Sequence, residues 1–344
     1  MLAAIAKELQ LQKNYLQGKK IQTIYFGGGT PSLLAAEEIA AILITIQKHF
    51  AATEVQEITL EVNPDDVTQD KLSAWRTMGI NRLSVGIQTF NDALLKYLHR
   101  AHNAAQAFAS LQMIAEAGFA NVSIDLIYAI AGQSEQMLQQ DLALATQFAP
   151  SHISAYCLTI EPNTAFGHWL KTGKLHMVDD DTAAQHFHTV VSTLAANNYQ
   201  QYEISNFSLP GFQAQHNTSY WQQHHYLGIG PSAHSYNGKS RQHNVAHNQQ
   251  YITHIASGTI PSTVEALTTT DNINEYIMTS LRTSWGCKTS YLQTVYQYDI
   301  LSTHGTYIQQ LLNLQLACLE DDTLFLTQQG KLLADKIAAD LFVV

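Results

Sequence analysis

The sequence predicts an α/β fold: an open, partial (β/α) barrel followed by a smaller C-terminal α+β module. Five runs rich in β-branched and apolar residues recur about 30 residues apart with helical periodicity between them, the pattern of repeated βα units and a parallel sheet. Most of the runs finish on a glycine or a polar residue, Gly27, Glu61, Gln88 and Glu161, with Asp125 inside the fourth. In βα folds the carboxyl ends of the strands are where chemistry is built. After Pro162 the rhythm breaks. Five units are too few to close an eight-stranded barrel, so the sheet is expected to stay open. The boundaries that follow are 1–165 for the partial barrel, 166–262 for a region that completes or links it, and 263–344 for the C-terminal module.

Leu2, Ile5, Leu9 and Leu16 fall near helical spacing, so residues 2–17 read as an amphipathic helix without a capping box. Residues 21–26 form the first strand, which should lie at an exposed edge of the sheet. It breaks into Gly27, Gly28 and Gly29, then Thr30, Pro31 and Ser32, with Ser32 placed to cap a helix over 35–49. Strand 57–62 runs into Asn63, Pro64 and Asp65 and a helix over 69–78; strand 81–89 leads to helical runs from Asn91 and over 104–117. Strand 121–129 precedes a helix from Glu135, and strand 152–160 is closed by Glu161 and Pro162. A helix over 182–197 leads to 202–207 and then to a Gly-, His- and Asn-rich region over 210–248. The tail places helices at 273–285 and 307–317, a turn at Glu320–Asp322 into a strand at 324–327, and a last helix at 330–341. Helix, helix, short hairpin, helix resembles a small winged-helix module.

Composition excludes several classes. A hydrophobic content of 46% supports a real core, while a net charge of −10 with 18 Lys+Arg argues against a nucleic-acid partner. No apolar stretch approaches the roughly 20 residues of a membrane span, and no signal peptide is visible. Cys157, Cys287 and Cys318 make neither a disulfide framework nor a metal spacing, so the cytoplasm is the default compartment. Seven of the 16 histidines fall between His216 and His254.

The glycine turn is neither a GxxxxGK[ST] loop nor a GxGxxG fingerprint, and alone it reads as a tight strand-to-helix turn. In company it says more. GGGTPSLL (27–34), LEVNP (60–64), SVGIQTFND (84–92), SIDLIYAIAGQ (123–133), LTIEPNT (158–164), YEISNF (202–207) and LGIGPSAHS (227–235) run in one order. Together they resemble the radical S-adenosylmethionine (SAM) proteins related to oxygen-independent coproporphyrinogen dehydrogenase, over nearly the whole chain. HNTSYW, His216 to Trp221, resembles the HNxxYW pattern of the HemW-type heme chaperone branch.

The resemblance implies a radical SAM barrel and a SAM site. Gly28, Gly29 and Thr30 would meet the amino-acid end of SAM. A sulfonium with ribose hydroxyls wants carboxylate and amide partners, which Glu61, Gln88 and Asp125 supply, and Arg100 would engage the ligand carboxylate. Taken singly, Glu61 also reads as a strand-end carboxylate in a surface ion pair, Gln88 as a backbone partner, and Arg100 as a helix C-terminal cation. The resemblance further implies a 4Fe-4S cluster held by CxxxCxxC upstream of the glycine motif. No cysteine precedes Cys157, so the first strand and cluster loop are missing; a smaller departure is Ala131, where the family usually has proline. The expectation is an N-terminally truncated chain, with the cluster carried by the full-length protein only and no metal ligand here. His216 is the candidate axial ligand for heme, with Tyr220 and Trp221 offering ring faces, although a loop histidine is ordinarily a surface side chain and both aromatics also serve as core. Rival histidines are His224, His225, His234, His243, His247 and His254, whereas His186 and His188 are split between helix faces and Cys157 reads as a buried small hydrophobe. The function implied is a heme chaperone delivering heme to acceptor proteins at the membrane. The alternatives are oxidative decarboxylation of coproporphyrinogen III by radical SAM chemistry, or an inactive fragment. SAM binding is expected to be weak, heme binding retained, and the exposed edge strand to favour a homodimer.

Overall fold

A computed structural model describes residues 1–162, 164–173, 175 and 177–344, so Asn163 of the LTIEPNT motif lies outside the described residues. The chain divides into two compact units. The barrel unit comprises Thr23–Ala36 and Gln56–Ala214; the terminal unit comprises Met1–Gln22, Glu37–Val55 and Gln215–Val344.

The barrel unit holds a seven-stranded sheet of β1 (Thr23–Phe26), β2 (Glu57–Val62), β3 (Arg82–Gln88), β4 (Asn121–Tyr128), β5 (His152–Cys157), β6 (Gln200–Gln201) and β7 (Asn206–Ser208), in the order β1-β2-β3-β4-β5-β7-β6. β1 to β5 are parallel, and β1 is an edge strand by sheet order, as the sequence predicts. β7 runs antiparallel to β5 and β6 antiparallel to β7. Because side chains alternate along a strand, the register sorts them into two faces. Leu60, Leu83, Val85, Ile87, Ile124 and Ile153 are fully buried on one face, each contributing about 1.5–3 kcal/mol relative to exposure. The helices of this unit bury matching stripes, including Leu72 and Trp75, Ala107 and Ile114, and Leu138 and Leu142.

The other face is mostly polar. Thr59 pairs with Arg82 and Glu61 with Ser84; Ser84 pairs with Ser123, which pairs with His152; Asp125 pairs with Ser154. A sheet with one apolar and one polar face needs helices on one side only, which leaves the polar face available to line a site.

In the terminal unit the helix Leu2–Leu11 packs Ala4 against Tyr251 and Ile255 of the helix Asn248–Ala256. β8 (His234–Tyr236), β9 (Ser240–Asn244) and β10 (Ser262–Ala266) form an antiparallel sheet in the order β10-β9-β8. The carboxylate of Glu8 is fully buried and accepts from Gly230 N (2.8 Å), Asn244 Nδ2 (2.6 Å) and Tyr251 Oη (2.5 Å). Toward the C-terminus, helix Thr269–Leu281 leads to β11 (Cys287–Lys288), and helices Thr289–Tyr296 and Ile300–Asn313 separate it from β12 (Ala317–Glu320) and β13 (Thr323–Leu326), with which it forms a sheet in the order β11-β13-β12. The β12–β13 hairpin turns at Asp321, whose φ is 52°. The helix expected over 330–341 is two pieces, Gln328–Lys331 and Ala334–Asp340. Among the described residues no helix is long and apolar enough to cross a membrane.

Candidate functional site

The carboxyl ends of β1 to β4 assemble the first site, inside the barrel unit. β1 runs straight into the glycine turn, where Gly28 has a φ of 77° and Gly29 one of 153°, conformations costly for any residue with a Cβ. A Cβ on either would meet nothing within 4 Å, so the turn borders open space. Gly27 is different: a Cβ there would stand 2.5 Å from the Tyr25 ring and 2.8 Å from Glu61 Oε1. That gap lets Tyr25 Oη donate to Glu61 Oε1 at 2.7 Å, while Gly28 N donates to Glu61 Oε2 at 3.3 Å. Among the described residues no cation pairs with Glu61. Burial holds its carboxyl above the usual carboxylate range, aided by nearby Asp125 and opposed by the hydrogen bonds from Tyr25 and Gly28.

Asp125 lies on the same polar face. Ser84 Oγ donates to both of its oxygens (3.2 and 3.0 Å) and Ser123 Oγ to one (3.2 Å). Burial raises this carboxyl too, against the pull of those serines, Ser154 and Arg82. Ser123 Oγ also meets His152 Nδ1 at 2.8 Å, and His152 Nε2 meets Tyr202 Oη at 2.8 Å. Burial, with Arg82 nearby, drives the His152 imidazole well below its ordinary range, so it is neutral.

At the end of β3 the ladder shifts register between Val85 and Gln88, and Gln88 adopts a φ of 68°. A non-glycine residue in that region stores strain, which clusters at functional sites. A Cβ on Gly86 would lie 2.9 Å from Gln88 Nε2 and 3.2 Å from Arg100 Nη2, so both side chains converge above Gly86. Arg100 Nη2 donates to Asn63 Oδ1 (2.7 Å) and Gly86 O (3.2 Å). Thr30 precedes the short Pro31–Leu33 turn without a side-chain cap. Ser32 departs from its expected role: it caps no helix, but is buried, donating to Asp66 Oδ2 at 2.6 Å and accepting from Asn63 N at 3.3 Å. Tyr25, Ser84, Ser123 and His152 escaped the sequence reading. The signal for them was polar alternation within otherwise apolar strands, Thr59–Glu61, Arg82–Ser84, Ser123–Asp125 and His152–Ser154.

This set of groups fits a cationic, hydroxylated ligand such as SAM: two carboxyls without a neutralising ion pair among the described residues, and open space beside the glycine turn. It does not fit an iron–sulfur cluster. The sequence contains no CxxxCxxC, and desolvation pushes all three thiols up, Cys287 to about 11, opposite to what thiolate ligands need, although Cys157 is an exposed residue rather than the buried hydrophobe expected.

The second site lies in the terminal unit on the helix Gln215–Trp221. His216 and Tyr220, four residues apart, share a face, with Nε2 and Oη 2.9 Å apart and the rings edge to face at 4.9 Å. Tyr226 stands edge-on to Tyr220 at 4.6 Å, and Tyr236 follows at 6.2 Å. Burial, then Tyr226, pushes the Tyr220 hydroxyl up to about 12. Trp221 stands apart from this row, under the Arg282 guanidinium at 5.6 Å, with Arg282 in turn paired to Asp335. Of the rival histidines, His234 and His243 stack on each other, His225 meets the edge of Tyr236, His247 caps a helix, and His254 contacts Thr259. His186 is buried and accepts from Ala129 N, a structural role.

Residues 4–145 match the radical SAM superfamily. The chain is 32% identical over 312 residues to heme chaperone HemW of Lactococcus lactis, covering 91% of this chain and 82% of that protein. It is 33% identical over 319 residues to heme chaperone HemW of Bacillus subtilis, covering 92% and 84%. In fold it is similar to coproporphyrinogen III oxidase (HemN) from Escherichia coli, a radical SAM enzyme, with a TM-score of 0.84 at 21% identity over 99% of this chain and 82% of that one.

Proposed function

The chain belongs to the HemW heme-chaperone family of radical SAM proteins, and from that premise we propose that it binds heme through its terminal unit and passes it to acceptor proteins. The observation that carries this reading is the His216–Tyr220 pair on the Gln215–Trp221 helix. Imidazole is the common proximal ligand of heme iron, and a hydrogen bond to one ring nitrogen orients a ligating histidine. Tyr220, 41% exposed, and Tyr226 present ring edges beside it for a porphyrin to rest on. Trp221, held by Arg282, anchors the helix. Titrating hemin into the protein should give a Soret shift, and His216→Ala should weaken binding by roughly tenfold or more. A His216→Ala protein that titrates like the parent removes His216 from the reading.

In the barrel unit the same premise assigns SAM to the polar face. The turn at Gly28, Gly29 and Thr30 receives the amino-acid end, Arg100 its carboxylate, and Glu61, Gln88 and Asp125 the sulfonium and ribose hydroxyls. In this family SAM and a cluster together supply radical chemistry; the residues of this chain hold no cluster, so their part is binding and orientation.

A further inference from the structure

We propose that His234 and His243 form a two-imidazole site for a borderline divalent transition-metal ion, Zn²⁺, Ni²⁺ or Cu²⁺, separate from the heme reading. The two residues are direct partners in the β8–β9 ladder, so their side chains leave the same face of the sheet. Their rings lie 5.5 Å apart at 29°. Two imidazoles on one tetrahedral ion, each nitrogen about 2.1 Å from the metal, have ring centres about 5 Å apart. The spacing is already close to that of a chelate, and small torsions complete it.

The backbone under the pair is fixed. Tyr226 and Tyr236 exchange both ladder hydrogen bonds at 2.9 Å, and Asn244 N donates to Ala233 O at 2.9 Å. Gly228 lies so close beneath that a Cβ there would stand 2.2 Å from His234 O. Both imidazoles are exposed, and among the described residues neither has an ion pair or hydrogen bond to a carboxylate. Thr263 of β10 is the direct partner of His243 and places a hydroxyl on the same face. Among the described residues no third His, Cys, Asp or Glu joins the cluster, so water completes the coordination and the ion exchanges readily. Side-by-side imidazoles cannot take the two opposite axial positions of one heme iron, so the two act together only on a bare ion.

The experiment is calorimetric titration of the full chain with Zn²⁺ at neutral pH, with hemin titrated in parallel. The parent should show one site tighter than the background of other histidines. His234→Ala and His243→Ala should each weaken that site by roughly tenfold or more, because each leaves a single ligand. His254→Ala should leave it unchanged, His234→Ala and His243→Ala should leave hemin affinity unchanged, and His216→Ala should leave Zn²⁺ affinity unchanged. With Cu²⁺, the electron paramagnetic resonance pattern of two nitrogen ligands should be lost in either single variant. Unchanged Zn²⁺ affinity in His234→Ala or His243→Ala, or no site in the parent, overturns the proposal. Loss of hemin binding in His216→Ala alone bears on the heme reading only.

Discussion

The two candidate sites are held in opposite ways. In the barrel unit, Glu61 on β2 and Asp125 on β4 sit at fixed positions of parallel strands that flank β3, and most of their hydrogen-bond partners come from the same sheet. In the terminal unit, His216 rides on a seven-residue helix with no buried residue, and the nearby loop and sheet are tied by one buried carboxylate, Glu8. A sheet spreads the cost of positioning over many ladder bonds. A carboxylate knot concentrates it in three. The first arrangement suits a small polar ligand that needs convergent atoms, the second a broad flat ligand that needs exposed rings.

The largest test of that contrast is Glu8→Ala. It takes the acceptor from Gly230 N and Tyr251 Oη and leaves Asn244 Nδ2 with Gly230 O alone; at about 1–3 kcal/mol for each of the two stranded donors, the terminal unit should lose roughly 2–6 kcal/mol. Hydrogen exchange should quicken over residues 226–255 while β3 to β5 keep their protection. Equal loosening of both would show that the barrel sheet is not self-sufficient. Next is Gly27→Ala, whose Cβ collides with Tyr25 and Glu61. We expect about 1–3 kcal/mol of destabilisation confined to the barrel unit, measured by denaturant unfolding.

The pH dependence should separate the units more gently. Glu61 and Asp125 both have carboxyls raised by burial in the folded state. Raised acids bind more protons folded than unfolded, so their contribution is fully present below the unfolded value and is lost as pH rises through the folded one. Barrel-unit stability should therefore increase on mild acidification from neutral pH, and Glu61→Gln should flatten that slope; a slope unchanged in the variant would place the titration elsewhere. Affinity for a cationic ligand should move the other way, falling as these carboxylates protonate. The smallest effect is Tyr220→Phe. Losing one hydrogen bond to His216, about 0.5–1.5 kcal/mol, should weaken hemin binding by a few-fold and shift the Soret maximum slightly. No change in either would make Tyr220 a packing residue.

The parallel strands were legible because buried β-branched runs and polar ends survive in one dimension; β2 coincides with its expected span, 57–62. The misplaced ends have a common cause. The run at 152–160 stays apolar to Ile160, yet β5 stops at Cys157 because its ladder partner Tyr128 is the last residue of β4. Likewise Ile21 and Gln22 fall outside β1, since Thr23 already pairs with Glu57, the first residue of β2. Strand length is set by the neighbour, which local sequence does not contain. The β8–β9 ladder was invisible for another reason: HSY and SRQHN carry no apolar alternation, and their pairing rests on backbone and on buried Asn244 and Gln242. Glu61, Gln88 and Asp125 were singled out from within the ordered motifs, and Arg100 from the stretch after SVGIQTFND. Tyr25 and His152, which touch the site through partners 36 and 29 positions away, required the register.

The knot at Glu8 also sets an order of events during synthesis. Three of its partners lie 222, 236 and 243 positions later in the chain. At a synthesis rate of about 5–20 residues per second, the helix that carries Glu8 waits roughly 10–50 seconds for them. During that interval every residue of the barrel unit, which ends at Ala214, has already been made. The helix that carries Glu8 is thus among the last to find its place, and its apolar side spends the wait uncovered, where a chaperone or a misdirected contact can reach it.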